Sequence, residues 1–299
     1  MLNSQDKSLL YAKEEIIKWI LRFFASVSIL TTLGIIIILF KETFAFFNEV
    51  SIIEFFTSAT WAPMIKPRSF GILPLVVGTL MIAVGSSIIS IPIGLGSAIY
   101  LSEYASKEWS KVIKPILEIL AGIPSVVYGF FALTFITPLI QKILPQTGVF
   151  NAASASIAVG IMIIPMVASL SEDAMRSVPD SIRHGAYALG ATKFQVVVKT
   201  VIPAAFSGII SSFILGISRA IGETMIVAIA AGASSELNLN PLQSIQTMTG
   251  FMVNASLGET PRGTIEYKTL FVVGALLFVM TLIMNLFAKL IVQAHEEGY

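Results

Sequence analysis

Long apolar runs separated by short charged clusters set out the architecture of this chain. Uncharged windows fall at 23–40, 69–102, 119–141, 143–171, 200–218 (continuing to 232 past two charges) and 269–288. A helix needs about 20 apolar residues to cross the hydrocarbon core, so each window carries one crossing. The 34 residues of 69–102 are generous for one crossing and too few for two joined by a turn. The first run is read as an uncleaved helix, because its 18 residues are long for a signal sequence and no small-x-small cleavage site follows Phe40. The predicted fold class is an all-α membrane protein of six spans, at 16–41, 71–101, 112–141, 150–171, 204–232 and 269–291, within a core of 71–294. A tail at 1–15 precedes them. Longer connections lie at 42–70, 172–203 and 233–268.

Small residues and prolines modulate two of these spans. In the second, Gly78 and Gly85 share a helical face and would let a neighbour approach closely, while Pro74 and Pro92 free backbone carbonyls that must be satisfied inside the protein. A central, bent helix is expected there, although tight packing alone would also explain the glycines. In the third, Pro124 and two glycines flank the hydroxyls of Ser125 and Tyr128, a composition that suits a cavity wall.

The charges orient the chain. Twelve Lys and Arg lie in the N-terminal flank, at 102–118, at 172–199 and after the last span, against six in the alternate segments, so both termini are expected on the cytoplasmic side. Only 12% of residues are charged and 55% are hydrophobic, with a mean hydropathy of +0.85. A water-facing domain carries about 25% charge. A net charge of +1 leaves no basic surplus for nucleic acid, and lipid is the expected surrounding. With no Cys and only His184 and His295, neither a metal cluster nor a catalytic site is expected.

Arg219 falls near the middle of the fifth run, where a charge costs roughly 2.5–3.5 kcal/mol even on lenient insertion scales. Glu223 lies four residues on, one turn along the same predicted face, and can partly neutralise it. Two readings stand: a closed pair that cements two helices, or a fork of donors offered to an anion in transit and balanced by the carboxylate. Thr224 adds a hydroxyl beside the pair.

The 172–203 connection is too patterned for a linker. Val178-Pro179-Asp180 marks a helix start, Gly190 a turn, and Phe194, Val197, Val198 and Val201 recur at helical spacing. Two short helices along the membrane surface with an exposed turn would form a docking knuckle.

Here a resemblance becomes specific. His184-Gly185-Ala186, three residues, Gly190, nine residues and Thr200-Val201-Ile202-Pro203 resemble the coupling-helix signature of ABC importer permeases, with His184 where that signature has Glu. Phe70–Leu75, Ala98–Tyr104, Ala121–Gly129, Gly185–Thr192 and Ser218–Met225 resemble, in this order, the C-type permease of phosphate-specific ABC importers, over about residues 65–294.

The resemblance implies a type I ABC importer bundle in the inner membrane of a prokaryote, forming half of a phosphate pathway. Its partners would be a second permease of A type, a dimer of ATP-binding subunits and an extracytoplasmic phosphate-binding protein. The pathway residues would be Arg219, Glu223, Thr224, Ser125 and Tyr128. Coupling to the ATPase would fall to His184, Gly185, Ala186, Gly190 and Pro203. The chain has no Gly-Lys dipeptide and hence no Walker A loop, so ATP and Mg would be bound by the partner and no cofactor is expected here. Three other readings remain open: a permease for sulfate or molybdate, an ion-coupled secondary transporter, and a non-transporting anchor.

Overall fold

The computed structural model describes residues 4–258 and 260–296, with side chains for 13–258 and 260–293. Residues 1–3 of the tail, Glu259 and the side chain of His295 lie outside the described residues.

The first helix, α1 (Ser4–Phe47), runs unbroken through the expected tail and first span. A short α2 (Ile52–Thr57) and a two-stranded antiparallel ribbon, β1 (Trp61–Ala62) with β2 (Ser69–Phe70), lead into α3 (Leu73–Ile99). Then come α4 (Lys107–Gly122), α5 (Ser125–Phe131), α6 (Thr137–Ile143) and α7 (Ala152–Arg176). The knuckle is α8 (Asp180–Ala188) and α9 (Lys193–Val196), followed by α10 (Ile202–Ala204) and α11 (Phe206–Ile221). The chain ends with α12 (Met225–Ala230), α13 (Met248–Leu257) and α14 (Ile265–Glu296).

Among the described residues five helical stretches are long and apolar enough to cross a membrane, and a sixth if the pair 193–204 and 206–221, bent by 71°, counts as one. Two expected spans are interrupted. The third, placed at 112–141, breaks at Ile123-Pro124. Its charged first part is not loop but α4, because Lys107, Lys111, Lys114 and Glu118 recur at helical spacing and gather on one face. The fifth, placed at 204–232, ends at Ile221 and resumes as α12. The connection at 233–268 contains α13, whose Met248, Phe251 and Ala255 are buried.

The spine of the bundle is α7, and the Gly-rich α3 packs along it. Asn151 starts it: its Oδ1 accepts the Ser154 N–H at 2.8 Å, and its Nδ2 donates to Thr137 Oγ1 and the Gly148 carbonyl, so a fully buried amide is satisfied. Glycines then bring α3 and α11 close on either side. A Cβ on Gly85 would lie 2.7 Å from Ser156 Oγ, one on Gly94 2.8 Å from Val167, and one on Gly208 2.4 Å from Ala174 Cβ. Gly78 meets the Gln246 carbonyl instead, so the two glycines expected to serve one neighbour serve two. The Ser171 and Ser212 hydroxyls close the α7–α11 contact at 2.7 Å.

At the end of the bundle away from the knuckle, Phe46, Phe55, Trp61, Phe70 and Phe251 form an aromatic cluster, with Trp61 edge-on to Phe251 at 5.1 Å. It pins the two long connections together, and the Trp61 backbone N–H donates to the Ser235 carbonyl at 2.8 Å.

The glycine contacts give a direct test. Gly94→Val should lower the stability of the purified protein by about 1–3 kcal/mol through overpacking against Val167. Gly96→Ala, where nothing lies within 4 Å, should leave the apparent melting temperature unchanged. Equal melting temperatures for the two variants would remove the close-approach argument.

Candidate functional site

A cavity of about 430 Å³ opens between α4, α7 and α11. Lys114, Leu117, Glu118 and Ala121 line it from α4; Met162, Pro165, Met166, Ser169 and Glu172 from α7; Arg219 from α11. The α7 residues fall at positions i, i+3, i+4, i+7 and i+10, which is one face of its knuckle-side half. Pro165, which lines this space, lacks an N–H and so cannot make the i→i−4 bond to the Ile161 carbonyl.

Arg219 occupies the last turn of α11, with a terminal guanidinium nitrogen 3.9 Å from Met162 Sδ. Among the described residues it forms no ion pair. The expected Arg219–Glu223 pair is therefore not made, and the reason is backbone. Gly222 N–H bonds the Ser218 carbonyl at 3.2 Å, Glu223 N–H bonds the Ala220 carbonyl at 3.2 Å, and α11 stops before a further turn can stack the two side chains.

Glu223 instead turns to the next helix. It is 8% exposed, and its Oε1 accepts the N–H groups of Met225 and Ile226 at 3.2 and 3.3 Å, closing the start of α12. The Thr249 hydroxyl donates to its carbonyl at 2.6 Å. Each charge sits at the helix end whose dipole favours it: the cation at a C-terminus, the carboxylate at an N-terminus. Such placement is worth about 0.3–1 kcal/mol per charge at exposed sites and more when partly buried.

The other sequence candidates divide. The Thr224 hydroxyl donates to the Gly222 carbonyl at 3.0 Å. Tyr128 is buried and its hydroxyl donates to the Leu120 carbonyl at 2.8 Å, spanning the break between α4 and α5. Ser125 is half-buried at the first position of α5. Of these five only Arg219 lines the cavity. Its companions there are Lys114 and Glu118, which lie inside the expected third span but were assigned no role, and Glu172, one residue past the expected fourth span. The helical spacing of Lys114, Glu118 and Ala121 was the available signal.

In the knuckle, His184, Gly185 and Gly190 are exposed, Ala186 packs inward and Pro203 stands in α10. Gly190 has φ +84°, a left-handed turn that suits glycine. Thr192 and Gln195 then make reciprocal caps for α9. No residue of α8 is buried, and Arg183 ties it down, donating to the Met175 carbonyl at 2.8 Å and to Glu103 at 3.1 Å. The exposed tip carries Leu189, 90% exposed, and Phe194, 68% exposed.

The family of binding-protein-dependent transport system inner membrane components matches residues 90–297. The chain belongs to this family. It is similar to the probable ABC transporter permease protein YqgH of Bacillus subtilis (strain 168), at 37% identity over 81% of this chain and 78% of that one. It is also similar to the phosphate transport system permease protein PstC of Xylella fastidiosa (strain 9a5c), at 31% identity over 82% of this chain and 81% of the relative. The crystal structure of a bacterial ABC transporter for import of the acidic polysaccharide alginate shares the fold: TM-score 0.61 and 15% identity, over 97% of this chain and 96% of that one. This is a multi-pass ABC importer permease of the inner membrane, a transport component and not an enzyme.

The capping role of Glu223 predicts separable effects of two substitutions in this permease. Glu223→Ala should destabilise it by about 1–2 kcal/mol by exposing two N–H groups of α12, and Glu223→Gln, which keeps an acceptor oxygen, should recover most of that loss. Thermal unfolding in detergent reads both. A Gln variant as weak as the Ala variant would show that the charge, not the acceptor, is what matters.

Proposed function

We propose that this permease forms half of a pathway for inorganic phosphate, completed by a second permease of A type and driven by an ATP-binding subunit that docks on the α8–α9 knuckle. The observation that carries the proposal is Arg219: a guanidinium on the wall of a cavity, with no carboxylate spent on it. In a low-dielectric setting an unneutralised cation is retained at a cost, and an anion in transit is the partner that offsets it. A planar fork of donors suits the oxygens of a tetrahedral oxyanion. Phosphate is preferred over other oxyanions because several relatives are phosphate transport system permeases, at about 30% identity over most of the chain.

The direction of the chain follows from its cations: both termini and the knuckle face the cytoplasm, and an extracytoplasmic phosphate-binding protein docks at the aromatic end. The apolar tip formed by Leu189 and Phe194 supplies the surface for the ATP-binding subunit. His184 replaces the acidic residue usual at its position in the coupling signature, so the contact made there differs in charge.

Uptake into proteoliposomes holding the complete importer tests the reading. Arg219→Ala should lower ATP-dependent phosphate uptake about 10- to 100-fold, the worth of a hydrogen bond to a charged group, with assembly intact. Arg219→Lys should fall between, because a point charge cannot reproduce the fork. Competition by sulfate or molybdate at phosphate-like concentrations would move the assignment to another oxyanion. Wild-type uptake by Arg219→Ala would end it. Separately, Leu189→Asp combined with Phe194→Asp should abolish co-purification with the ATP-binding subunit while the permease keeps its melting temperature.

A further inference from the structure

The knuckle-side end of the cavity holds a second group of charges. Glu172 is the buried member, at 3% exposure, and its Oε1 has Lys114 Nζ at 3.0 Å and Arg176 Nε at 2.6 Å. Neither contact is an aligned hydrogen bond, so the oxygen is held by charge and not by directional geometry. The two cations differ in how they are anchored. Arg176 lies one turn from Glu172 on α7, and its guanidinium also reaches the Leu101 carbonyl at 3.5 Å. Lys114 comes from α4, is 38% exposed, and among the described residues forms no ion pair other than that with Glu172. A lysine head on a flexible stem can leave such a contact.

The distances separate this group from Arg219. Met162, against which Arg219 rests, and Glu172 are ten residues apart on α7, or about 15 Å along its axis at 1.5 Å per residue. The two groups thus rest against α7 nearly three turns apart. The charge balance is also suited to passage. The lining carries two cations, Arg219 and Lys114, against two carboxylates, Glu118 and Glu172, and Arg176 beside Glu172 adds one positive charge at the knuckle side. An anion is attracted without being trapped.

We infer that Lys114 is a second anion-binding residue, at the knuckle-side mouth of the cavity, with Glu172 as its resident counter-ion. A tetrahedral oxyanion leaving Arg219 takes the place of the Glu172 carboxylate on Lys114, while Arg176 keeps that carboxylate paired. Two stations against different turns of α7, the inner one a planar fork at Met162 and the outer one a mobile point charge at Glu172, favour exit over retention. This inference rests on the reading of the cavity as the anion's path.

The test uses the complete importer in proteoliposomes with phosphate loaded on the knuckle side, where occupancy of the outer station slows further uptake. Lys114→Gln should raise the half-inhibitory concentration of that internal phosphate about five-fold, the worth of a part-exposed charge contact, and Lys114→Arg should restore it. Removal of Lys114 leaves Glu172 paired with Arg176, so the variant is expected to assemble. Glu172→Gln, which frees Lys114, should shift the inhibition the opposite way. If Lys114→Gln retains wild-type inhibition while Arg219→Ala loses uptake, the outer station is wrong and the pathway stands. If Arg219→Ala transports normally, the pathway reading fails and the outer station falls with it.

Discussion

Every interruption of a helix inside this bundle must be repaired from within the protein, because hydrocarbon offers no donor or acceptor to a freed backbone group. The repairs are specific side chains. Tyr128 reaches back to the Leu120 carbonyl across the break at Pro124. Asn151 closes the start of α7 with its whole amide. Glu223 receives the first N–H groups of α12. Residues that look like pathway chemistry in the sequence are, in two of these cases, the means by which broken helices persist in a low-dielectric medium.

The break at Gly222 has a further consequence. A continuous helix would have stacked Arg219 and Glu223 and consumed the cation in a local pair. Ending α11 at Ile221 separates them, gives each a matching helix end, and leaves the guanidinium turned to the cavity. The same discontinuity therefore supplies both the stability of the carboxylate and the availability of the arginine.

Around this, α7 acts as the rigid spine. Glycines allow α3 and α11 to approach it closely, so a displacement at one end of the spine is transmitted by packing that cannot deform by small amounts. The knuckle is joined to that spine through Arg183, which binds the end of α7 and Glu103 beyond α3. Lys193 adds a contact over the Tyr104 ring at 4.8 Å. A helix with no fully buried residue of its own is thus coupled to the core chiefly by charge and backbone hydrogen bonds, with Ala186 as its apolar contact.

Hydropathy made the membrane class, the apolar runs and the knuckle legible, because each depends on local composition and spacing: an apolar run of some 20 residues has few other fates, and Gly190 followed by Thr192 and Gln195 encodes its turn and cap within six residues. Arg219 also stood out, since a charge within an apolar run is rare enough to notice. Where a run breaks was legible only in part. The break at Ile123 has a local cause in Pro124, but the one at Ile221 is held by a partner far along the chain, Thr249 bonding the Glu223 carbonyl. The cavity was equally hidden, because Lys114 and Glu172 are 58 residues apart and become neighbours only when α4 lies along α7. Composition along one chain fixes which segments leave water; which side chains then share a space is decided by how the helices pack.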